Sequence, residues 1–386
     1  MSMGRLFDQF SAVKDMVKEK GSAFIEDKVG KLKEAAVMGR VFDINGRQYR
    51  TKKLLGEGGF GYVYLAQDAM GQNVALKQLM VNSKDQMEQA KNEQQIWAAL
   101  PPHKNIVQLI DSCVARGPNG ETQMLFVMEL CSGGVLDLMN QRLQANQRFR
   151  EDEVLAIFND VCDAVEVMHS QNPPIIHRDL KVENVLISNH NYKLCDFGSA
   201  TTKTYKPENE RDRATVEYDV QKNTTMDYRA PEMIDLYRKD LINEKADIWA
   251  LGVMLYKLCF FEPPFEPGSP LGILNGNYTI PENSRFSENI HNMIKWLLTN
   301  DPAKRPDIKQ VQERLCQIRP KDRQKIPMGT APRQPPVALQ QSTPTPQPQP
   351  QAPQTKGKTL FDMVDWQTTP QGQPDQFNEF VGHDSP

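Results

Sequence analysis

The eight-residue segment His177-Arg-Asp-Leu-Lys-Val-Glu-Asn184 constrains this chain more than any other feature of its sequence. It combines a carboxylate, a cation and an amide in a fixed order, which chance explains poorly. In such an arrangement Asp179 would accept the proton of a substrate hydroxyl, and Lys181 would stabilise a phosphoryl group in transfer. The amide oxygen of Asn184 would hold a magnesium ion. The segment therefore predicts phosphoryl-transfer chemistry.

A second short motif, Asp196-Phe-Gly198, follows twelve residues after Asn184. Asp196 would ligate magnesium between the phosphates of a nucleotide, because this hard cation prefers oxygen ligands and keeps several waters. An aspartate before a glycine is also an ordinary turn residue. The first segment favours the metal role, so the predicted metal ligands are Asn184 and Asp196.

A glycine-rich stretch lies between two β-type runs in the first part of the chain. Its glycines would let backbone N–H groups approach phosphates without side-chain collision. Such a stretch is also typical of a tight turn or of a dinucleotide loop, but a dinucleotide loop requires a helix directly after it. Here a β run follows, which excludes the dinucleotide interpretation. The residues predicted to bind nucleotide are Gly56, Glu57, Gly58, Gly59, Phe60 and Gly61.

Lys77 ends a predicted strand, Val74-Ala-Leu-Lys77. Strand alternation points Ala75 and Lys77 to the same face, where Lys77 would neutralise the α- and β-phosphates. A lysine at the end of an apolar strand is otherwise a solvated edge charge, so this role requires a carboxylate partner. Glu93, on the helix predicted near 86–100, is the favoured partner.

Two further motifs lie downstream, Ala230-Pro-Glu232 and Asp247-Ile-Trp-Ala-Leu-Gly252. The first closes the segment that begins at Asp196. We interpret both motifs as structural. We expect Glu232 and Arg305 to form a buried ion pair, which is costly to break by removing one partner alone.

The order of these motifs is similar to that of the eukaryotic protein kinases, over residues 49–318. The resemblance implies an α+β, bilobal fold, with a small β-rich N-lobe that carries one main helix and a larger helical C-lobe. It implies a protein serine/threonine kinase that uses ATP and Mg²⁺, with dual specificity left open. The Thr225 hydroxyl would bridge Asp179 and Lys181. The implied catalytic residues are Asp179, Lys181, Lys77, Glu93 and Thr225.

The same resemblance implies which residues surround the adenine and link the lobes. Met128 would gate the pocket behind the adenine, next to the hinge between the lobes. The implied adenine-site residues are Val63, Ala75, Met128, Glu129, Cys131 and Leu186. A hydrophobic column between the lobes would consist of Trp97, Leu109, His177 and Phe197, and Trp97 is bulkier than the aliphatic residue expected there.

A narrower resemblance rests on six segments of the C-lobe. They are Leu180-Lys-Val-Glu-Asn184, Leu194-Cys-Asp-Phe-Gly-Ser-Ala-Thr201, Tyr228-Arg-Ala-Pro-Glu-Met233, Lys245-Ala-Asp-Ile-Trp-Ala-Leu-Gly252, Tyr256-Lys-Leu-Cys259 and Tyr278-Thr-Ile-Pro-Glu-Asn-Ser284. Together they resemble the Numb-associated kinase family, in its adaptor-associated and cyclin-G-associated branch. This implies a cytoplasmic kinase, recruited to endocytic membranes, that phosphorylates the medium chain of a clathrin adaptor.

Two other protein classes share the expected fold. A catalytically inactive pseudokinase scaffold typically loses the phosphate lysine, the base or a magnesium ligand, and this chain keeps all of them. A small-molecule phosphotransferase would lack the substrate platform at 230–232. The sequence therefore favours a protein kinase, with the pseudokinase scaffold as the alternative.

Arg178 precedes the predicted base and would pair with a negative charge on the segment after Asp196. That charge is either a phosphate or the carboxylate of Glu217, which would leave the enzyme constitutively active. The candidate phosphorylation sites are Thr201, Thr202, Thr204, Tyr205, Thr215 and Tyr218.

The pattern along the chain predicts four parts. Apolar residues at helical spacing predict an amphipathic helical extension over 1–40. The N-lobe is predicted over 41–130 and the C-lobe over 131–318. Residues 319–386 are rich in proline and glutamine and are predicted to be disordered, because they offer little apolar surface to bury.

Composition and charge argue against several other functions. The net charge of -3 and the lack of a basic block give no support to nucleic-acid binding. A run of about 18 apolar residues is missing, so no transmembrane segment is expected, although peripheral membrane association stays open. The six cysteines contain no Cys-x-x-Cys pair, which indicates neither zinc nor disulfides. We expect a monomer whose tail cluster, Phe377–Phe380, binds an adaptor appendage.

Overall fold

The computed structural model of the protein describes residues 38–58, 61–118 and 120–318. The predicted disordered tail over 319–386 lies outside the described residues, and so does the predicted helical extension over 1–40 except for its last three residues. Among the helices that are described, none combines the length and the apolar character needed to cross a bilayer.

The small lobe is built on a six-stranded antiparallel sheet. Its strands are β1 Val41–Ile44, β2 Arg47–Gly58, β3 Gly61–Asp68, β4 Asn73–Val81, β5 Leu109–Arg116 and β6 Thr122–Glu129. They are ordered β1-β2-β3-β4-β6-β5. In β1, Phe42 and Ile44 are buried and their neighbours are exposed, as in a sheet with one covered face. Asn45, after β1, donates from Nδ2 to Asp111 Oδ1 on β5 at 2.6 Å, which joins the two edges of the curved sheet.

One long helix, α1 Lys84–Ala99, connects β4 to β5. Ser83 begins this helix as its N-cap, because its Oγ accepts a hydrogen bond from the N–H of Gln86 at 3.2 Å. The side chains that α1 buries are Ala90, Glu93, Ile96 and Trp97. Glu93 and Trp97 are four residues apart, so both lie on the face that points into the molecule.

The large lobe is mainly helical. Its elements are β7 Gly133–Gly134, α2 Val135–Gln144, α3 Glu151–His169, β8 Val185–Ser188, β9 Asn191–Leu194, α4 Glu210–Asn223, α5 Pro231–Ile234, α6 Lys245–Phe260, α7 Pro270–Asn275, α8 Glu288–Leu297 and α9 Ile308–Ile318. Helix α6 is buried on nearly all sides and packs against α3 and α8. Gly252 permits the close approach of α8, because a Cβ atom there would lie 2.8 Å from Leu298 Cδ2.

The predicted α+β, two-lobed architecture is confirmed. Helical patterns near 151–170, 246–260 and 290–300 coincide with α3, α6 and α8 to within a few residues. Helix α4 was not predicted, since it buries only two apolar side chains and has no clear amphipathic pattern. It begins at Asn209, whose side chain accepts from the N–H of Asp212 at 3.0 Å, and contacts with other elements hold it.

The expected ion pair between Glu232 and Arg305 is also confirmed, and both side chains are fully buried. The guanidinium binds the carboxylate with two parallel hydrogen bonds, Nη1 to Oε1 at 2.6 Å and Nη2 to Oε2 at 2.9 Å. Arg305 also donates to the carbonyl oxygens of Thr299 and Lys245. The pair therefore ties α5, the start of α6 and the loop before α9 together.

Replacing Arg305 by Met should destabilise the fold by about 3–5 kcal/mol, because the Glu232 carboxylate would stay buried without a counter-ion. Thermal denaturation should show a Tm lowered by at least about 6 °C. Lys304→Met is the matched control, since Lys304 is exposed and its pair with Asp301 contributes little. A similar Tm shift in both variants would contradict the special role of the buried pair.

Candidate active site

The loop that carries Asp179 is fixed by a buried carboxylate from α6. Asp247 accepts hydrogen bonds from the N–H groups of His177 at 2.8 Å and Arg178 at 2.9 Å, and its Oδ2 also lies 2.9 Å from His169 Nε2. Burial alone would raise the pKa of Asp247, but the His169 and His177 contacts outweigh it and lower the pKa. Arg178 has a φ of +68°, a left-handed conformation that is strained for this residue type. The charged carboxylate thus stabilises an otherwise unfavourable loop.

Asp179, Lys181 and Thr225 form one connected cluster. Thr225 Oγ1 donates to Asp179 Oδ1 at 2.6 Å and accepts from Lys181 Nζ at 3.0 Å. Lys181 Nζ also lies 2.8 Å from Asp179 Oδ2. The structure therefore shows the bridging hydroxyl that the kinase resemblance implied. Asp179 is oriented from both sides, with a cation next to the position where a substrate hydroxyl would approach.

Lys77 on β4 contacts two carboxylates from other elements. Its Nζ lies 2.7 Å from Glu93 Oε1 on α1 and 3.1 Å from Asp196 Oδ1. Burial would lower the pKa of Lys77, but the charges of Asp196 and Glu93 outweigh it and raise the pKa. The lysine is therefore permanently charged, and it joins β4, α1 and the Asp196 segment.

Asp196 and Asn184 fit a magnesium ion. The charge of Lys77 lowers the pKa of Asp196 to about 2, so this partly exposed carboxylate is ionised at neutral pH. Asn184 donates from Nδ2 to the carbonyl oxygen of Asp179 at 2.8 Å, which leaves the amide oxygen as its ligand atom. Across the described ranges, no group of three or more His, Cys, Asp or Glu side chains could hold a metal. Mg²⁺ suits a site with few protein ligands, because phosphates and water complete its shell.

Two glycines near the predicted site leave little or no room for a side chain. A Cβ atom on Gly61 would be 1.9 Å from the carbonyl oxygen of Gln78 on β4. A Cβ atom on Gly198 would be 3.3 Å from Glu93 Oε2, tight against the Lys77 ion pair. The glycine-rich stretch is the end of β2 and the start of β3, in which Gly56 pairs with Val63 and Gly58 with Gly61. Gly59 and Phe60, also predicted to bind nucleotide, lie outside the described residues.

The residues predicted to surround adenine come from both lobes. Ala75 on β4 is directly opposite Met128 on β6, and Val63 lies on the neighbouring β3. Leu186 lies on β8 of the large lobe and pairs with Gly134. The structure therefore places Leu186 on the large lobe, whereas Val63 and Ala75 belong to the sheet of the small lobe.

The hinge contributes Glu129 and Cys131. The Glu129 carboxylate is engaged by Lys193 Nζ and by the N–H of Gln108, both at 2.7 Å, so adenine contacts from this residue would come from its backbone. Burial, and then the charge of Glu129, raises the pKa of Cys131 to about 11. The Cys131 thiol is therefore neutral.

Arg178 already has a carboxylate partner, and this partner is Asp219. Arg178 Nη1 forms an ion pair with Asp219 Oδ2 on α4, and Arg178 Nε donates to the carbonyl oxygen of Ser199 at 2.6 Å. The selection of Glu217 for this role was wrong, because Glu217 is exposed and accepts from Gln221 one turn further along α4. Residues two positions apart on a helix do not share a face. Without a predicted helix at α4, the sequence offered no means to choose between the two acids.

Helix α1 also contacts the segment after Asp196 directly, which sequence reasoning missed. Gln89 Nε2 lies 3.3 Å from the carbonyl oxygen of Gly198 and 3.4 Å from Asn223 Oδ1. Asn92 Nδ2 donates to the carbonyl oxygen of Ala200 at 2.9 Å. These amides hold α1, and with it Glu93, in place.

The fold has two lobes, and its site contains two clusters of charged and polar side chains. Lys77 contacts Glu93 and Asp196, and Thr225 bridges Asp179 and Lys181. Together these features define a protein kinase domain. The family model described as protein kinase domain matches residues 49–315, and the chain belongs to this family. Members of the family use ATP and Mg²⁺.

Curated relatives agree with this family. A probable serine/threonine-protein kinase of Dictyostelium discoideum is 48 % identical over 286 residues, 73 % of this chain and 35 % of the relative. The actin-regulating kinase PRK1 of Saccharomyces cerevisiae is 40 % identical over 292 residues, 73 % of this chain and 36 % of the relative. Actin-regulating kinase 1 of the same yeast is 40 % identical over 288 residues, 72 % of this chain and 45 % of the relative. The chain thus spans less than half the length of each of these relatives.

Because Asp219 already supplies a negative charge to Arg178, we expect Arg178 to be held in position without phosphorylation. Asp219→Ala should lower kcat/KM for a peptide substrate about tenfold, because Arg178 would lose its counter-ion and α4 its link to the catalytic loop. Glu208→Ala, an exposed acid just before α4 whose carboxylate lies near Lys206, should stay within about twofold of the parent. Both are measured on dephosphorylated protein, and an equal effect of the two substitutions would contradict the assignment.

Proposed function

We propose that this protein is a serine/threonine protein kinase that transfers the γ-phosphate of ATP to threonine or serine side chains of proteins. The observation that carries this proposal is the hydroxyl of Thr225, 2.6 Å from Asp179 and 3.0 Å from Lys181. The site also contains the complete trio of Lys77, Glu93 and Asp196, in which Lys77 Nζ contacts both carboxylates. Phosphoryl transfer in protein kinases uses the lysine–glutamate pair, the magnesium-binding aspartate and the base aspartate, and a scaffold requires none of these groups.

In the proposed reaction Asp179 accepts the proton of the substrate hydroxyl. The hydroxyl oxygen bonds to the γ-phosphorus, the bond from that phosphorus to the β,γ-bridging oxygen breaks, and ADP leaves. Lys181 offers its charge next to Asp179, while Lys77 binds the α- and β-phosphates. Asn184 and Asp196 would hold Mg²⁺, which would neutralise phosphate charge. The inactive pseudokinase alternative has no observation in its favour.

A cavity next to Thr225 supports a protein as the substrate. It has a volume of about 200 Å³ and lies between α4 and the residues around α5. Its lining includes Met226, Arg229, Met233 and Val220. Met226 directly follows Thr225, so residues of a polypeptide that flank the reacting hydroxyl would reach this surface.

Incubation of the purified chain with ATP, Mg²⁺ and an arrayed peptide library tests the proposal. We expect phosphate on threonine and serine peptides, with tyrosine peptides unmodified, as read by mass spectrometry. Asp196→Asn is the control, because a neutral amide holds Mg²⁺ poorly and turnover should fall to background. Undiminished turnover of Asp196→Asn, or a folded parent protein with no transfer, would reject the mechanism.

For the cellular role, we infer membership of the Numb-associated kinase family and phosphorylation of a threonine followed by glycine in the medium chain of a clathrin adaptor. The motifs from Leu180 to Ser284 that resemble this family support the inference. Two relatives carry the name actin-regulating kinase, which makes regulation of actin a second context to test. We propose that the protein is a cytoplasmic monomer, recruited to endocytic membranes by its partners.

The tail is proposed to act as a tether, although it lies outside the described residues. Phe377 and Phe380 stand among acidic and polar residues in a proline- and glutamine-rich sequence. Two aromatic anchors in the tail that the sequence predicts to be disordered would bind an adaptor appendage with roughly micromolar affinity after ordering costs. Weak binding of this kind still raises the effective concentration of substrate near the catalytic lobe.

Replacing both Phe377 and Phe380 by Ala should weaken adaptor pull-down and slow phosphorylation of intact adaptor. Phosphorylation of a short threonine-glycine peptide should be unchanged, because the catalytic cluster is untouched. Phe361→Ala combined with Trp366→Ala, in the tail's other aromatic cluster, is the matched control. Equal loss on adaptor and peptide, or no loss on either, would contradict the tether.

A further inference from the structure

The cavity beside helix α4, called the α4 cavity below, shares a wall with the segment that carries Thr225. Met226, the next residue after Thr225, belongs to its lining. The buried residues of the lining are apolar, namely Val220, Met233 and Leu236. A side chain that flanks the reacting hydroxyl of a bound substrate would therefore meet this cavity, and its charged residues decide which side chain fits.

Arg229 lines the α4 cavity as a half-buried cation that has no carboxylate partner among the described residues. Its Nε donates to Thr224 Oγ1 at 2.7 Å, and its Nη2 contacts the carbonyl oxygens of Thr224 and Gln221 at 3.2 and 3.5 Å. Its Nη1 has only the Met226 sulfur at 3.3 Å, which is a weak acceptor. Burial lowers the pKa of Arg229 and no nearby charge opposes this, yet a guanidinium stays protonated. An anion in the cavity would offset the lost solvation of this charge.

A second arginine, Arg213 of α4, also lines the cavity. Its Nη2 pairs with Glu210, and its guanidinium lies over the Tyr237 ring, 4.6 Å from the ring centroid. Its Nε is buried and has no hydrogen-bond partner among the residues that the structure describes. A buried N–H of a charged group without an acceptor is costly, so this donor also favours a ligand that accepts.

The two acids of the lining belong to its exposed part. The Glu210 side chain is 78 % exposed and already pairs with Arg213. Glu217 is exposed and accepts from Gln221 Nε2 at 3.1 Å. Exposed carboxylates are solvated and screened, whereas a half-buried guanidinium acts through a medium of lower dielectric constant. The inner part of the cavity therefore favours a negative charge.

We propose that the α4 cavity binds a negatively charged side chain of the protein substrate, close in sequence to the target hydroxyl. The anion is a glutamate carboxylate or the phosphate of a phosphoserine, and its oxygens accept from Arg229 and Arg213. Because Arg229 also donates to Thr224, a bound anion would steady the segment that holds the Thr225 hydroxyl. The inference rests on the proposed function, since it names a feature of the substrate of the same site.

A series of peptides with one target threonine tests the proposal. Each position on either side of the threonine carries glutamate, phosphoserine or glutamine in turn. At one or more positions kcat/KM should be about tenfold higher with an anion than with glutamine, because charge-assisted hydrogen bonds to arginine are strong. The comparison of glutamate with phosphoserine shows which anion the cavity prefers. If no position gives a higher kcat/KM with an anion than with glutamine, the proposal is overturned.

Substitutions in the lining assign this preference to the cavity. Arg229→Gln and Arg213→Gln should each reduce the ratio of the anionic to the glutamine peptide to about twofold or less. Arg211→Gln is the matched control, because Arg211 is an exposed cation of α4 outside the lining, and it should keep the ratio of the parent. A purely structural role of Arg229 would lower kcat/KM for both peptides equally. An unchanged ratio in both lining variants, or an equal loss in Arg211→Gln, would overturn the proposal. If Arg229→Gln does not fold, Arg213→Gln decides.

The exposed acid Glu217 tests the sign of the charge. Glu217→Gln removes a carboxylate from the outer part of the lining and should raise the preference for the anionic peptide about twofold. A lower preference in this variant would show that the cavity does not select an anion.

Binding measurements separate this proposal from the proposed function. Peptides with alanine in place of the target threonine are titrated into the full chain by calorimetry, and the anionic peptide should bind about tenfold more tightly than the glutamine peptide. Anion-dependent binding without phosphate transfer to any peptide would support the cavity and reject the proposed function. Phosphate transfer without any preference for an anion, in binding or in turnover, would overturn the cavity proposal alone.

Discussion

The contact of Lys77 with Glu93 and Asp196 is the interaction on which the arrangement of the site depends. It joins a strand of the small lobe, the helix α1 and the metal-binding segment within 2.7 and 3.1 Å of one ammonium group. The Lys77 and Glu93 side chains are mostly buried, so removing one of them would leave the other charge unpaired in a poorly solvated place, which is costly. The three elements are therefore coupled, and a displacement of α1 or of Asp196 breaks the same cluster.

The large lobe supplies a rigid base for this cluster. Asp247 on the central helix α6 holds the N–H groups of His177 and Arg178, and so fixes the loop that presents Asp179. The buried pair of Glu232 and Arg305 fixes the opposite end of the segment that begins at Asp196. Both carboxylates are buried and fully engaged, so the loops they hold have little freedom to adopt another conformation.

Between these two anchors, the segment after Asp196 is held by polar contacts to both lobes. Arg178 pairs with Asp219 on α4, and α1 donates side-chain amides to carbonyl oxygens at Gly198 and Ala200. Trp97 adds an aromatic contact with Phe197. These contacts hold the metal-binding segment with the Asp196 carboxylate beside Lys77.

The sequence by itself determined the identities of the polar residues at the site, because phosphate transfer requires particular chemical groups, and the resemblance of its motif order to the protein kinases implied the two-lobed class. It also predicted the pairs Lys77–Glu93 and Glu232–Arg305, since each charge needed a partner. Only the tertiary structure decided that Asp219 and not Glu217 faces Arg178. Helix α4 is weakly amphipathic, so its sequence pattern did not show which of its side chains point towards the catalytic loop. The tertiary structure likewise decided which groups Trp97 contacts. Its indole N–H donates to the carbonyl oxygen of Val107 and its ring packs against Phe197, and no local sequence pattern connects these residues.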